Sequence, residues 1–397
     1  MAAAGAGRWL GQGLPALAAC FVLVALDACQ HGVEPPVPRA VIATAQAVPP
    51  PTRLILKDRG LLPMPADTPA AHASSLLPMP PGHRCALMAF WFAGTRESAP
   101  DVQIANSCFE RATRQWSDAR FVVNRHVMGD VLGFGLRRMG NPVAWRDPQG
   151  KIHLFVVATG LGGWAASRIL HVRQSDDGSD FKHLEFAAPR ILPLAWSWNL
   201  SHLVRGAPLD LEDGGMVLPA YFELGAKYPV ALRFDAAGEF KGMTRMSQRR
   251  LILQPTLMAL TATHWLALMR DNRIEGKIGV VQTDNGGKDW HDMQDLNLIN
   301  PDASIFALTL APWHFVLAHN TSPKSRQVLD LSESGNGVDW RRMDTLARGG
   351  KAGDGLDARS AEFSYPSMAW VDGSLWVSYT ENRSHIAWQR FELEKLP

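Results

Sequence analysis

The sequence predicts an all-β chain, a six-bladed β-propeller behind an N-terminal signal and linker, and three observations carry that prediction. A unit of three or four short apolar strands recurs six times from about residue 72, roughly fifty residues apart. Gly-rich turns close most copies on an aromatic: Trp116, Phe181, Phe240, Trp290 and Trp340. The last copy stops near Phe391, one strand short, as a ring closed by an N-terminal strand would. A four-stranded blade cannot bury both faces alone, so blades stack around an axis, and closure leaves no free sheet edge.

The copies follow in order. The first runs from Ala73 to about Trp116 and the second from Val143 to Phe181, with VAWRDPQGKIHLFVVA and then RILHVRQSDDGSDF. Leu203 to Phe240 uses Glu212-Asp213-Gly214-Gly215 for its first turn. Leu257 to Trp290 ends in TDNGGKDW, Ile305 to Trp340 ends in SESGNGVDW, and Ser367 to Phe391 turns at Asp372-Gly373. The segment Thr52 to Lys57, TRLILK, is the candidate for the strand that completes the ring.

Residues 1–29 read as a signal peptide or lipoprotein signal. Arg8 precedes an apolar run from Leu14 to Leu26, broken only by Pro15, too short for a comfortable membrane span. Cys20 and Cys29 both stand where a lipoprotein signal is cut. Residues 30–70 are rich in Pro and Ala and suit a linker, and 71–397 form the propeller. The expected location is outside the cytosol: periplasm, outer membrane lipoprotein or secreted, with the membrane touched only through the N-terminal anchor.

Composition excludes some classes. A formal net charge of +2 gives no reason to expect nucleic acid as a partner. No CxxC pair, HExxH, GxSxG or P-loop lysine motif is present, and no cofactor or metal is expected. Gly160-Leu161-Gly162-Gly163 lacks the Lys-Ser/Thr ending of a phosphate loop and reads as a hairpin. Fourteen Trp against four Tyr suits a repeat core, and Trp91, Trp164, Trp196 and Trp198 are the candidates for stacking on sugar.

The stretch Phe90 to Ile104 combines a buried strand with chemistry. The apolar run Ala86 to Phe92 meets Gly94, and Arg96, Glu97 and Asp101 crowd a short connection before a strand that starts at Val102. Such a hairpin is either a solvated turn or a site held by a rigid sheet. Its pairing sets Cys85 nearly opposite Cys108, and in an exported chain that predicts a disulfide.

The Gly-rich turns resemble the Asp-box, Ser-x-Asp-x-Gly-x-x-Trp, of sialidases. Thr283 to Trp290 is the clearest copy, Gln174 to Phe181 keeps Asp176 and Gly178, and Glu333 to Trp340 keeps Gly337 and Trp340. The chain from about residue 71 thus looks like a sialidase-type propeller of the BNR-repeat class. That resemblance implies a glycoside hydrolase cleaving a terminal acidic sugar, sialic acid or related, from an acidic glycan or sialoside. It assigns Arg96, Arg270 and Arg326 to the sugar carboxylate, with Arg273 as a rival to Arg270, and it assigns Asp101 as acid/base and Tyr365 as nucleophile. Two positions depart from the pattern. His72 stands where the family has an Arg, and Gln254 stands where it has the Glu that assists the Tyr. Gln cannot take a proton, so Glu362 or Glu223 would have to supply a base, and His72 is a further candidate base. The alternatives are a non-catalytic glycan-binding propeller tethered to the envelope and a structural protein using only the propeller surface.

Overall fold

The structure, a computed structural model, describes residues 15, 18–22, 36–42, 50–175, 184–195, 199–349 and 361–396. Residues Met1–Val37 and Pro38–Pro397 form separate compact units. Most of the expected signal segment, the turn through Phe181, and Trp196 and Trp198 lie outside the described residues. Among those described, no helix is long and apolar enough to cross a membrane.

Six antiparallel sheets make up the larger unit. Blade I comprises Ala70–Pro78, Cys85–Gly94, Gln103–Glu110 and Arg120–Val123; blade II comprises Arg138–Arg146, Ile152–Thr159, Arg168–Gln174 and Phe186–Ile191. Blade III has a split first strand, His202–Val204 and Leu209–Asp210, then Met216–Phe222, Tyr228–Phe234 and Phe240–Arg245. Blade IV is Ile252–Ala259, Trp265–Asp271, Gly279–Thr283 and His291–Asp292, and blade V is Phe306–Ala311, His314–Asn320, Val328–Ser334 and Arg341–Arg348. Blade VI takes three strands from the C-terminal end, Phe363–Val371, Ser374–Glu381 and His385–Lys395, and its fourth from Thr52–Leu61. That strand pairs along its length with the last one, from Thr52 opposite Lys395 to Leu61 opposite Ala387. The first strands of neighbouring blades touch, so they line the axis.

Apolar side chains between blades supply the cohesion. Trp91 is fully buried beside Trp376 and Trp388 in the cluster that joins blades I and VI. It is therefore core and not a sugar platform. In blades IV and V the Gly-rich turns work as hydrogen-bonded knots at the end of the third strand. In blade IV, Thr283 Oγ1 accepts from Gly287 N at 3.0 Å, Asn285 Oδ1 accepts from Asp289 N at 2.9 Å, and Trp290 Nε1 donates to Gly287 O at 3.2 Å. Blade V repeats the knot with Ser334, Asn336, Gly337 and Trp340. Its turn is one residue shorter, which hid Ser334 and Asn336 from an eight-residue comparison.

Two parts of the expected linker are built into the propeller: the Thr52–Leu61 strand, and residues 38–42. Ala40 is fully buried and donates its N–H to Ala262 O, and Glu212 N donates to Arg39 O. Cys85 and Cys108 form a disulfide with Cα atoms 5.6 Å apart. The register is not the one the sequence suggested, since Cys108 lies opposite Met88. An irregularity between Cys85 and Leu87 shortens the offset.

Candidate active site

A repeated backbone distortion builds the site. The first strands of blades I, II, IV and VI each carry a bulge near their start, at Ala73, Asn141, Gln254 and Tyr365, with φ between 43° and 53°. Left-handed backbone is costly for these residues, and in three of the four a proline follows: Asn141-Pro142, Gln254-Pro255 and Tyr365-Pro366. A bulge re-aims the side chain beside it. His72, Asn141, Gln254 and Tyr365 thereby come together, from positions nearly three hundred residues apart, in one cavity of about 210 Å³. Arg270, Arg326, Arg383, Glu97, Glu223, Tyr221 and Trp164 also line it.

The three guanidiniums are each anchored by a neighbour. Arg270 Nε donates to Asp302 Oδ1 at 2.7 Å. Burial by itself would lower the Arg270 value, but Tyr365 and the Asp302 pair outweigh it and raise it. Arg326 Nη1 donates to Glu362 at 2.9 Å, and Arg383 Nε donates to the other Glu362 oxygen at 2.9 Å. Burial pushes the Glu362 carboxyl up, yet Arg383, Ser364 and Arg326 together hold it at about 2. Glu362 is thus a counter-charge for two arginines. Arg383 also pairs with Glu97, and Glu223 pairs with Lys227 at 3.2 Å.

Gln254 is held by the same set. Its Oε1 accepts from Arg270 Nη1 at 3.2 Å, and its Nε2 donates to the hydroxyls of Tyr221 at 3.3 Å and Tyr365 at 3.4 Å. Arg270 Nη1 donates to the Tyr365 hydroxyl as well, at 3.4 Å. The Tyr365 oxygen therefore accepts two N–H groups, one of them charged. Tyr221 is fully enclosed, and burial, reinforced by Tyr365, pushes its phenol well above the ordinary value.

His72 lies with its ring centroid 4.2 Å from that of Tyr365. Burial, with Arg383 as the next contribution, holds it well below its ordinary value of 6.5. That shift favours the neutral imidazole over a carboxylate-gripping cation. His72 Nδ1 has no partner among the described residues.

Not every residue singled out in the sequence reaches the cavity. Arg96 is exposed and lines a tight adjoining cleft, with Glu97 and Arg383. Asp101 accepts from the Thr95 N–H and hydroxyl at 2.9 Å each, closing the hairpin. Arg273 is bound to Asp271 at 2.8 Å and to Asp295 at 2.7 Å, away from the lining. In their place the structure supplies Glu97 from the same hairpin and Arg383 from the corresponding loop of blade VI. Asn141 had a sequence signal, the residue-Pro pair it shares with Gln254 and Tyr365.

A six-bladed ring with Asp-box knots and a cationic axial pocket defines a sialidase-like BNR-repeat propeller. The chain belongs to the BNR repeat-like domain family, whose model matches residues 85–377. No curated protein matches it in sequence. Among solved structures it is similar to a Dyadobacter fermentans protein of unknown function, at 12% identity and a TM-score of 0.67, covering 86% of this chain and 99% of that one. It is also similar to the Hadza microbial sialidase Hz136, at 16% identity and a TM-score of 0.62, covering 82% and 66%. A third likeness is to Trypanosoma rangeli sialidase in complex with sialic acid, at 12% identity and a TM-score of 0.62, covering 88% and 60%. The chain thus spans less than two thirds of the length of these two sialidases. At such identities the likeness shows the fold.

Proposed function

We propose that this chain is an exported glycoside hydrolase that releases a terminal acidic sugar, sialic acid or a related one, from a glycan. The observation that carries this reading is the convergence of Arg270, Arg326 and Arg383 on the cavity that holds Tyr365. Guanidiniums recognise carboxylates through paired, charge-assisted hydrogen bonds. The volume of about 210 Å³ is below the roughly 300–1,000 Å³ usual for drug-sized ligands, which suits one terminal sugar ring. Trp164 is the aromatic that would flank it.

In this reading the three arginines bind the carboxylate, which frees Glu97 from Arg383 to take up the phenol proton of Tyr365 through solvent, and the Tyr365 phenolate attacks the anomeric carbon. Its oxygen already accepts from Gln254 and Arg270, an arrangement that stabilises a phenolate and offsets the missing base at position 254. The glycosidic C–O bond breaks as the Tyr365–carbon bond forms, and the leaving oxygen takes a proton from Glu97. Water then displaces Tyr365, giving its proton to Glu97. A Tyr nucleophile suits an anionic substrate, which would repel a carboxylate. The Cys85–Cys108 disulfide supports the assignment to an oxidising compartment.

Hydrolysis of sialosides and of uronic-acid glycosides, with Tyr365→Phe beside the parent, tests the proposal. Release of sugar by the parent and none by Tyr365→Phe is expected, with ligand still bound by the variant. Binding without release by the parent would instead favour the glycan-binding propeller, the reading that Gln254 in place of a carboxylate supports.

A further inference from the structure

We propose that Arg205 is a positioning residue for Tyr365, a buried clamp and counter-charge on the axis behind the cavity. This rests on the reading of Tyr365 as the nucleophile. Arg205 comes from the gap in the split first strand of blade III and is only 3% exposed. Gly206 beside it sits so close to blade IV that a Cβ there would lie 2.2 Å from Pro255 O, so the gap admits no side chain. The Arg205 side chain crosses the axis. Its Nη1 donates to Ser74 O at 3.1 Å and its Nη2 to Pro366 O at 2.7 Å.

Each of those carbonyls follows a left-handed bulge residue, Ala73 in blade I and Tyr365 in blade VI. One planar guanidinium thus ties together the two bulges that present His72 and Tyr365. Its Cζ also lies 5.3 Å from the centre of the Tyr365 ring. No acidic side chain pairs with Arg205 among the described residues, and its Nε has no partner. Burial lowers its ordinarily very high value to about 10, while Tyr365 and then Tyr221 act in the opposite direction. A buried cation without a carboxylate is costly. Here it is turned toward a phenol, where it favours the phenolate. Arg205 does not line the cavity, so it acts through Tyr365 and not on substrate.

The test separates this role from the hydrolase reading by using a measurement that needs no substrate. Tyrosinate absorbance is titrated with pH in the parent, in Arg205→Met and in Arg205→Lys, each minus its own Tyr365→Phe version, which isolates one tyrosine. Loss of the charge in Arg205→Met moves that ionisation to higher pH by about one unit or more. Arg205→Lys, which keeps a charge, stays within about half a unit of the parent. Arg205→Gln is made alongside as a second neutral form that can still reach one carbonyl. Parent-like titration in whichever neutral variant folds, judged by circular dichroism, overturns the proposal. Where the parent hydrolyses a sialoside, Arg205→Lys lowers kcat about tenfold with KM within about twofold, since one ammonium cannot span both carbonyls. An unchanged kcat overturns the clamp.

Discussion

Arg270 determines which way Gln254 faces. Its Nη1 donates to the amide oxygen at 3.2 Å, which leaves the amide N–H₂ pointing at Tyr221 and Tyr365. The position that resembles a base's place in sialidases is therefore occupied by a donor. Gln254→Leu removes that donor while leaving an apolar side chain of similar size. We expect kcat on the acidic glycoside to fall about 10–100-fold, the usual range for a hydrogen bond to a charged group, with KM little changed. Gln254→Glu reverses the polarity, accepting from Arg270 and from the Tyr365 hydroxyl, and should raise kcat on a sialoside. Steady-state kinetics of the two variants check the pair of expectations, and a neutral effect of Leu would show that the donor is idle.

Arg383 and Arg96 come from equivalent loops, joining the second and third strands of blades VI and I, but only Arg383 lines the cavity. Arg383→Ala should weaken binding of the free acidic sugar about 10–100-fold, while Arg96→Ala changes it by less than about twofold. Isothermal titration with sialic acid or a uronic acid reads both. The reverse ranking would return Arg96 to the site.

This pair also marks how far the sequence was legible. The ring was readable because most copies repeat strand, turn and aromatic, and because Thr52 to Lys57 holds a short apolar run, Leu54-Ile55-Leu56, outside the last copy. Arg270, Arg326, Gln254 and Tyr365 were readable through the resemblance to sialidases, although Arg326 stands in the loop before Val328–Ser334 and not on a strand. In the hairpin of blade I that resemblance did not separate the residues that line the cavity from those that do not. Between Gly94 and Val102 the backbone turns left-handed at Ser98, and nothing local says that Glu97 faces the cavity while Asp101 turns back onto Thr95. Arg205 was hidden for a related reason. Its strand is interrupted, and a charge next to Gly206 reads as a surface turn until the axis is seen to close over it.

One buried carboxylate of blade V reaches across to the start of the ring-closing strand. Glu333 in blade V accepts from Thr52 N at 2.9 Å and Thr52 Oγ1 at 2.6 Å, and it pairs with Arg341, with His314 at 3.4 Å. Burial raises the Glu333 carboxyl, but His314, Thr52 and Arg341 outweigh that and hold it at about 2. Its folded value lies below the ordinary 4.5, so its contribution is complete above pH 4.5 and is lost as pH falls toward about 2. Glu333→Gln should cost about 2–3 kcal/mol in urea unfolding at neutral pH and flatten the acid loss in that window. Unchanged stability would show that the Thr52 strand is held by its ladder alone.

A second acid-sensitive device joins blades II and III away from the cavity. Arg190 Nε donates to His171 Nδ1 at 2.9 Å, so the neutral His171 carries its hydrogen on Nε2. That nitrogen is 2.8 Å from His153 Nδ1, which must then accept, and His153 Nε2–H donates to Asp147 Oδ2 at 3.2 Å. The donors run one way, from Arg190 through both rings to Asp147, and Lys151 N donates to the other Asp147 oxygen at 2.8 Å. A proton added to His171 Nδ1 would face the Arg190 N–H, and one added to His153 Nδ1 would face the His171 N–H. Arg190 and Arg173, each also paired with Glu239, place positive charge beside both rings. For His171 burial lowers the value most, then His153, Arg190 and Arg173, and it lies well below 6.5. For His153 burial again leads, and the Asp147 hydrogen bond and charge offset only part of it. The sign follows from these depressed values. Unfolded histidines take protons near pH 6.5 that the folded pair refuses, so stability is complete above that pH and declines below it. His171→Phe, stacked on Phe155 as the imidazole is at 4.4 Å, removes one such site. Urea unfolding between pH 7.5 and 5 should show a dependence on pH shallower than the parent's by up to about 1.4 kcal/mol per unit, whatever the variant's absolute stability. An identical slope in parent and variant would mean that His171 titrates in the folded chain as it does in the unfolded one.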